Sequence, residues 1–434
     1  MTIPTFTGLQ TALSGLEAAQ AAIDTTGENI SNANTPGYTR QVVQTAESPT
    51  LTIPALSEQG AGANLGTGVD ITSISRIRDQ FLDVQYRAQN TLASAANTDA
   101  SELEQVQTAI DEPSSNGIQA QLSNFWSAWS SLANDPTSPA ARQAVIDAGQ
   151  TLAQTFNSVS SQMTTVQTQA AQQYATLTGP NGTVAQDAQQ IATLNGEITQ
   201  ATEAGQTPND LLDQRDNLLD QLSGLAQISV TQQSDGSVTV SFGDASTPLV
   251  SGTTVTWPQT LTGAAGGQLG ALLTLSSSGG PIGQLLSSLD GVASQVISSV
   301  NALQPSSPFF VGSSAATIAV AATPASLQTS SSSTSGADLA QSIANLSGGA
   351  ADQAYAAFVA QVGDSVQAAQ STQSTQQAVL TAVSNQRQSV SGVSLDEEMT
   401  NLIRYQQAYQ ASARAMNAID SSINTLITVA AAGL

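Results

Sequence analysis

The stretch SNANTPGYTR, residues 31–40, ends a segment of helical periodicity near the start of the chain. A proline at position 36 disfavours helical backbone at Thr35. Pro36 and Gly37 fit the two central positions of a type II turn, in which the glycine takes a positive φ. We therefore predict that the first helix ends by about residue 33, and that the turn motif consists of Asn34, Thr35, Pro36, Gly37 and Tyr38. An ordinary helix stop is the alternative, because proline–glycine turns are common.

Before this turn, apolar residues recur at every seventh position. They are Leu9, Leu16, Ile23 and Ile30, with Leu13 at an intermediate position. This spacing is typical of one side of a coiled coil. Such a helix is marginally stable alone, because most helical stability comes from packing an apolar face. We therefore expect it to pair with a second helix.

A second series with the same spacing lies near the other end of the chain, at Leu395, Leu402, Tyr409, Met416 and Ile423. Its helix is predicted to start at Ser394, which forms a capping-box pattern with Glu397, and acidic residues follow at the positive end of the helix dipole. We predict that the two series form one assembly seam in which the terminal helices pair. The alternative is two unrelated amphipathic helices on a globular core.

The remaining chain is largely helical in pattern, with a β-rich interruption at ISVTQQSDGSVTVSF, residues 228–242, where Asp235-Gly236 signals a hairpin. The predicted fold class is mainly α, with terminal helices paired as a coiled coil, an elongated helical-bundle body and a small β-rich insertion. The predicted domains are a terminal helical domain (1–35 and 395–434), an extended connector (36–75), a helical bundle (76–226 and 336–394), and a β-rich insertion with one helix and Ser/Gly/Pro-rich loops (227–335).

Composition limits the possible chemistry. The 434 residues include 32 acidic and nine basic residues, all nine of them arginine, and neither cysteine nor histidine, for a net charge of −23. This balance disfavours nucleic acid and anionic membrane as partners. The missing residue types remove disulfides, thiol nucleophiles, imidazole bases and the commonest zinc ligands. No cofactor or metal is expected. Residues 1–20 lack the features of a cleavable signal, and no stretch approaches the length of a membrane span.

Three features could indicate a ligand site, and each has a commoner structural explanation. GAGANLGTG, residues 60–68, does not follow a strand and open a helix as a dinucleotide loop must, so a flexible connector is expected. Trp126 and Trp129 could stack on a sugar, but packing in a core is the usual role of such a pair. The acidic residues of 209–220 match no calcium loop, and a solvent-exposed helix face is predicted for Asp210, Asp213, Asp216 and Asp220 around Arg215.

Several longer stretches carry a family resemblance. SGLEAAQAAIDTTGENISNANTPGYTRQ (residues 14–41) resembles the N-terminal signature of bacterial flagellar axial proteins, the rod, hook and hook-associated subunits, and residues 66–90 resemble the segment that follows it. NDPTSPAARQAVI (134–146), NDLLDQRDNLLDQLSGL (209–225) and SGVSLDEEMTNLIRYQQAYQASARAMNAI (391–419) are similar to the hook-associated members at the hook–filament junction. The resemblance runs through most of residues 1–275 and 350–430.

The resemblance implies a structural subunit rather than an enzyme. It places the protein outside the cell, in the bacterial flagellum, as the junction between hook and filament that filament assembly needs. It implies export by the flagellar type III system without a cleaved signal. The implied partners are identical subunits in a ring, the hook protein, the second junction hook-associated protein and a flagellar export chaperone. Members of the family carry a larger β-rich outer domain where this chain has only about residues 305–335, so that domain is expected to be reduced or missing.

The alternative functions are another axial subunit, an enzyme and a secreted adhesin. Another flagellar axial subunit, a hook or rod protein, would suit the first ninety residues equally well. An enzyme would have to act through paired carboxylates, and no such pair stands out. A secreted coiled-coil adhesin would explain the terminal helices but not the NTPGYTR stretch.

Overall fold

A computed structural model describes residues 6–53, 63–332 and 336–432. Helices dominate the described chain, in agreement with the predicted mainly α fold class. They are α1 (Thr7–Ser31), α2 (Gln80–Ile110), α3 (Ile118–Asn134), α4 (Pro139–Thr178), α5 (Thr183–Glu203), α6 (Asn209–Leu225), α7 (Gly267–Ser276), α8 (Pro281–Asn301), α9 (Asp338–Ala344), α10 (Ala350–Ser391) and α11 (Leu395–Ala432).

The segment between α1 and α2 is extended, as expected, and folds back on itself. Strand β1 (Gln41–Glu47) pairs antiparallel with β4 (Val69–Arg76), with a register shift between Gln44 and Thr45. The short strands β2 (Leu51–Ile53) and β3 (Ala63–Leu65) pair in the same sense. The β-branched residues of β1 and β4 favour strands. Their pairing was not predicted, because more than twenty residues separate them and no short turn joins them.

The β-rich insertion contains an antiparallel sheet of four strands in sequential order. They are β5 (Ile228–Gln232), β6 (Val238–Phe242), β7 (Val250–Ser251) and β8 (Thr254–Val255). The β5–β6 hairpin turns at Asp235-Gly236, where Gly236 has φ +84°. Two helices, α7 and α8, follow where one was expected. The short helix α7 is apolar on most sides and buried at Leu269, Leu272 and Leu275, so it shows no amphipathic period to detect.

The main hydrophobic core lies between α3, α4, α8 and α10. Trp126 and Trp129 are buried there with Leu122, Phe125 and Leu132, as the core-packing interpretation predicted. The Trp126 indole N–H donates to Asp352 Oδ2 over 3.0 Å. A second core joins α5 and α6 to the sheet of the insertion.

The stretch after α8 is short and packed into the main core. Strands β9 (Phe310–Val311) and β10 (Ala319–Val320) pair antiparallel, and Phe309 and Phe310 are buried beside Phe125. Within residues 305–332, which the structure describes, no separate β domain is present. The expectation of a reduced outer domain agrees with this architecture.

Helices α1 and α11 run antiparallel in direct contact. A Cβ atom added to Gly8 would meet Ile419 Cδ1 at 3.4 Å, and one added to Gly15 would meet Ser412 Oγ at 3.1 Å. The contact partner on α11 therefore moves seven residues towards the N-terminus for every seven residues towards the C-terminus along α1. We call the α1 positions Gly8, Gly15, Ala22 and Asn29 the contact ridge. Its small side chains allow the two helices to approach closely.

Candidate functional site

The turn that ends α1 has the predicted geometry. The Tyr38 backbone N–H donates to the Thr35 carbonyl over 3.2 Å, and Gly37 has φ +81°, as the third residue of a type II turn requires. Asn34, Thr35, Pro36 and Gly37 are exposed, whereas Tyr38 points inward and is half-buried. The turn therefore ends the helix and directs one aromatic side chain towards the interior.

Asn29 connects this turn to three other elements. Its side chain is buried, and its Oδ1 accepts from the Tyr38 hydroxyl (2.8 Å) and from the Gln41 backbone N–H (2.9 Å). Its Nδ2 donates to the Gln41 carbonyl (2.9 Å) and to Glu398 Oε2 (3.1 Å). Burial raises the pKa of Tyr38, and Glu28, Asp213 and Glu398 add to that increase. Tyr38 is therefore a neutral hydroxyl that donates to Asn29.

Arg40 fixes the start of α11 against β1. Its Nη1 lies 2.9 Å from Glu397 Oε2, and its Nε lies 2.9 Å from Glu398 Oε1. Its backbone N–H donates to the Ser391 carbonyl at the end of α10 over 3.0 Å. The acidic first turn of α11 was expected to favour the helix dipole. In the structure its carboxylates also bind Arg40, two residues beyond the turn motif.

The acidic residues of α6 correct the prediction of a solvent-exposed face. Only Asp210 is exposed; Asp213 is buried, and Asp216 and Asp220 are half-buried. Asp213 accepts from the Thr39 backbone N–H (2.9 Å) and the Thr39 hydroxyl (2.7 Å). Asp213, Asp216 and Asp220 follow one another at steps of three and four residues, so their carboxylates share one helix face. In α6 that face lies against arginines from distant parts of the chain, rather than against water.

Four arginines bind this face and complete an ion-pair network. Asp216 is the central acceptor, because it accepts from Arg76 Nη1 (2.9 Å), Arg78 Nη1 (2.9 Å) and Arg87 Nη2 (3.1 Å). Arg76 Nη1 also lies 2.6 Å from Asp213. Asp220 accepts from Arg87 Nε (2.8 Å) and from Arg387 Nη1 (2.6 Å). Burial tends to raise the pKa of Asp216, but Arg78, Arg76 and Arg87 outweigh it and hold that pKa below its ordinary value.

The network joins elements that are remote in sequence. Arg78 also forms a two-pronged pair with Asp83 of α2, at 2.9 and 2.7 Å, and the Arg387 guanidinium lies 3.8 Å from the centre of the Tyr86 ring. The turn, β4, α2, α6 and the end of α10 are thereby held together. Sequence reasoning missed this site, although five of only nine arginines have such acidic partners.

The remaining ligand hypotheses receive no support. Among the described residues, no group of three or more acidic side chains is arranged to hold a metal ion. Residues 60–62 of the glycine-rich stretch lie outside the described residues. Its last residue, Gly68, has φ +119°, and a Cβ there would collide with the Ser14 hydroxyl, which accepts from the Val69 backbone N–H over 3.2 Å. Gly68 therefore permits close packing of β4 on α1.

The predicted seam residues occupy two different positions on the helix pair. On α11, Leu402, Tyr409, Met416 and Ile423 are half-buried beside the α1 contact, whereas Leu395 is 48% exposed. On α1, Leu9, Leu16, Ile23 and Ile30 are half-buried, and Leu13 is 43% exposed. The side chains that α1 buries are instead Ala12, Ala19, Ala22, Thr25, Thr26 and Asn29.

This placement differs from the expected one by a rotation of α1. Each large seam residue directly follows a contact-ridge residue, so it lies about 100° around the helix from α11. Close approach at Gly8 and Gly15 leaves no space between the helices for leucine and isoleucine side chains. The seven-residue period is present, but small residues form the helix–helix contact.

Comparison with known proteins assigns family models to three segments. Residues 103–307 match the flagellar hook-associated protein FlgK helical domain. Residues 9–39 match the flagella basal body rod protein family, and residues 384–429 match the C-terminal family of the flagellar basal body rod FlgEFG proteins. The two terminal matches cover α1 with its turn and the end of α10 with α11, the elements that meet at Asn29 and Glu398.

Individual relatives agree with these families. Flagellar hook-associated protein 1 of Bacillus subtilis (strain 168) is 38% identical over 233 residues, which cover 54% of this chain and 45% of that protein. The Salmonella typhimurium protein of the same name is 33% identical over 245 residues, covering 56% and 42%. The solved flagellar hook junction protein FlgK from Burkholderia pseudomallei is 26% identical, with a TM-score of 0.45 over 51% of this chain and 43% of that chain. The matches thus span somewhat less than half the length of these relatives.

Proposed function

We propose that this chain, a relative of flagellar hook-associated protein 1, is a structural subunit of the bacterial flagellum that forms the hook–filament junction and is needed for filament assembly. The observation that carries the proposal is the physical union of the two terminal segments that match axial-protein families. They are joined through α1–α11 contact, Asn29 and Glu398. The middle segment matches the FlgK helical domain, which favours the junction over the alternative of a hook or rod subunit.

The chemistry of the site suits a scaffold. The Asp213, Asp216 and Asp220 carboxylates, which an enzyme could use as acid and base, are bound by arginine. Within the described part of the chain, no helix has the length and hydropathy of a membrane span. A relative of flagellar hook-associated proteins assembles with other axial subunits. For this chain we propose a ring of identical copies, contact with the hook protein and the second junction protein, and a location outside the cell after type III export.

The rotated seam residues support a role in assembly. Leu9, Leu16, Ile23 and Ile30 lie about half a turn around α1 from Ser14, which contacts β4. Leu395 and Met399 lie about half a turn around α11 from Glu397, which contacts Arg40. Both sets therefore face away from the β1–β4 hairpin, on the same side of the helix pair. We call this side the open edge and propose that it packs against neighbouring subunits.

Residues of the open edge also need protection before assembly. Met399 and Ile403 are 58% and 56% exposed, next to the half-buried Leu402. We propose that an export chaperone binds this part of α11 in the unassembled subunit. A pull-down that compares the full chain with a chain ending at Val393 tests this proposal. Equal capture of the chaperone by both chains would contradict it.

The position of this chain within the flagellum tests the junction role. In a strain that lacks the gene, hooks without filaments are expected by electron microscopy, and the intact gene restores filaments. Gold labelling of an epitope on the chain is expected to mark one band where hook and filament meet. Label along the whole hook or within the rod would assign the chain to the alternative axial subunits and overturn the junction role.

A further inference from the structure

The four-stranded sheet of the insertion has one long free edge. Strand β5 is the outermost strand on one side, and β8 on the other side has only two residues. The Gly243 backbone N–H donates to the Gln227 carbonyl over 2.7 Å, which fixes the alternation of hydrogen bonds along β5. The backbone groups of Ile228, Val230 and Gln232 therefore point away from β6. They form no hydrogen bond with any residue that the structure describes.

Nothing in the sequence of β5 protects this edge. Proteins usually protect edge strands with charged side chains, proline, a bulge or a covering element. The strand ISVTQ contains no charge and no proline, and its pairing with β6 has no register shift. Other strand edges of this protein are covered, since Asn29 bonds both backbone groups of Gln41 and Asn209 Nδ2 donates to the Ile74 carbonyl over 2.8 Å. The β5 edge is thus available for pairing.

Helix α2 runs beside β5 in the opposite direction. Gln80 Nε2 donates to Gln232 Oε1 over 3.1 Å at one end. At the other end, a Cβ atom added to Gly266 would lie 3.2 Å from Thr91 Cγ2 and 3.8 Å from Gln227 Cβ. Helix and strand therefore lie side by side over about 16 Å.

This part of α2 carries an exposed apolar face. Phe81, Val84 and Leu92 are 72%, 65% and 53% exposed, and Ala88 between them is also exposed. We call these four residues the α2 stripe. They lie about 75° around the helix from the side that carries Gln80 and Thr91, which is the side next to β5. Apolar residues that are contiguous on a surface mark an interaction site, whereas single ones do not.

The layers of the fold explain why this face is uncovered. The sheet packs on α5 and α6, with Ile228 and Val230 of β5 against the second core. Helix α6 lies between α5 and α2, and Arg87 Nε of α2 binds Asp220 of α6 over 2.8 Å. The helix layer therefore extends one helix beyond the sheet. A further strand on the β5 edge would lie over the α2 stripe.

We propose that the β5 edge and the α2 stripe together bind an extended segment of a different flagellar subunit by β-strand addition. The segment pairs with the outward backbone groups of β5 and packs alternate apolar side chains on the α2 stripe. It is uncharged, because neither β5 nor the α2 stripe contains a charged residue. The described strands of this chain are already paired within its own sheets, and copies with a net charge of −23 repel each other. The source is therefore a chain of another kind. The proposal rests on the place among axial subunits proposed above.

Photo-cross-linking in assembled flagella tests this proposal with the full chain. The variant Phe81→p-benzoylphenylalanine places a photoreactive ring on the α2 stripe. Ultraviolet light is expected to link it to a different flagellar protein, and mass spectrometry is expected to place the link in an uncharged segment with apolar residues at alternate positions. The same probe at Gln105, which is exposed further along α2, is expected to give no such adduct. An adduct only with other copies of this chain, or no adduct at all, would overturn the proposal.

Two further variants separate strand addition from simple proximity. Val230→Pro removes the outward N–H of β5, and proline is accepted where an edge N–H makes no ladder bond. The yield of the Phe81 adduct is expected to fall about tenfold relative to Val230→Thr, because the added strand then has an unpaired carbonyl. Val84→Lys places a charge under the added strand and is expected to lower the yield relative to Gln105→Lys. Circular dichroism reports folding, and Val84→Lys decides the test if Val230→Pro does not fold. Yields equal to those of the controls would contradict strand addition.

The gold label at the junction separates this proposal from the proposed function. A band of label where hook and filament meet, without an adduct at Phe81, would overturn strand addition alone. Absence of that band would instead overturn the proposed function.

Discussion

Asn29 of α1 and Glu398 of α11 are 369 positions apart in the sequence and share a buried hydrogen bond of 3.1 Å. The same glutamate pairs with Arg40, two residues beyond the Tyr38 that donates to Asn29. The helix end, the turn and the start of the C-terminal helix therefore form one hydrogen-bonded unit. This unit sets the register of the α1–α11 pair relative to the body of the protein.

Replacing Asn29 tests this unit. Asn29→Ala removes four hydrogen bonds and leaves the Gln41 backbone groups without that partner, so a loss of about 1–3 kcal/mol is expected locally. Faster amide exchange in α1 and in the first turns of α11 would report it. Asn34→Ala, in the exposed part of the turn, serves as the control. Equal exchange in both variants would contradict the role given to Asn29.

The ion-pair network is expected to support the body of the protein. Asp216→Asn removes the carboxylate charge that Arg76, Arg78 and Arg87 share, although each of these arginines keeps one other acidic partner. The loss of charged hydrogen bonds in this half-buried network is expected to cost about 1–3 kcal/mol, which lowers the melting temperature. The exposed Asp210→Asn is the matched control. A melting temperature equal to that of the control would show that the network contributes nothing to stability.

The Asp216 carboxylate is also expected to determine part of the loss of folding stability at low pH. Because the folded-state pKa of Asp216 lies below its unfolded value, the ionised form contributes stability above about pH 4, and this contribution is lost as the pH falls through the folded pKa. Chemical denaturation between pH 7 and pH 3 is expected to show a smaller acid-induced loss for Asp216→Asn. An unchanged pH profile would contradict this linkage.

The pKa of Asp187 in α5 is raised, so its effect on the pH dependence of stability is expected to be opposite to that of Asp216. It is buried, its Oδ2 has no hydrogen-bond partner among the described residues, and burial raises its pKa to about 6. The folded state then binds the proton more tightly than the unfolded state, so its contribution to stability falls as the pH rises from about 4 to about 6. Asp187→Asn is expected to be more stable relative to wild type at pH 7 than at pH 4. The reverse order would refute this explanation.

The helix pair is expected to be less stable than the body in the free subunit. Between α1 and α11 the contact consists largely of small side chains, and much of α11 is exposed, whereas α3, α4 and α8 enclose a large core. Amide exchange in the isolated chain should be fast in residues 7–31 and 395–432 and slow in the core helices. Strong protection of both terminal helices would contradict this expectation.

Sequence patterns predicted most of this architecture because its signals are local. The helices are long and periodic, the Thr35–Tyr38 turn contains its own proline and glycine, and the β5–β6 hairpin is signalled by Asp235-Gly236. The network on α6 could not be predicted in the same way. Arg76 and Arg87 lie more than 120 residues from their acidic partners, and only the tertiary fold brings them together.

The orientation of α1 was also beyond sequence reasoning. A seven-residue repeat of leucine and isoleucine suggests that these side chains form the helix contact. The positions one residue earlier, Gly8, Gly15 and Ala22, have the same period and allow a closer approach. Periodicity alone therefore cannot decide which of two adjacent stripes faces the partner helix. The structure leaves the larger stripe at the open edge.

The central proposal is that the open edge packs against neighbouring subunits. Filament assembly by a variant with charges at two seam residues tests it most directly. In Leu16→Asp/Ile23→Asp, two charges replace apolar side chains that are half-buried in the subunit, and packing against neighbours would bury them further. The control Gln10→Asp/Gln20→Asp places the same charges on the exposed face of α1. The fraction of hooks that carry filaments is counted in the deletion strain, and the melting temperature of the purified chain reports folding. We expect the seam variant to keep the melting temperature of the control and to leave hooks without filaments. Full filaments in the seam variant would contradict the account.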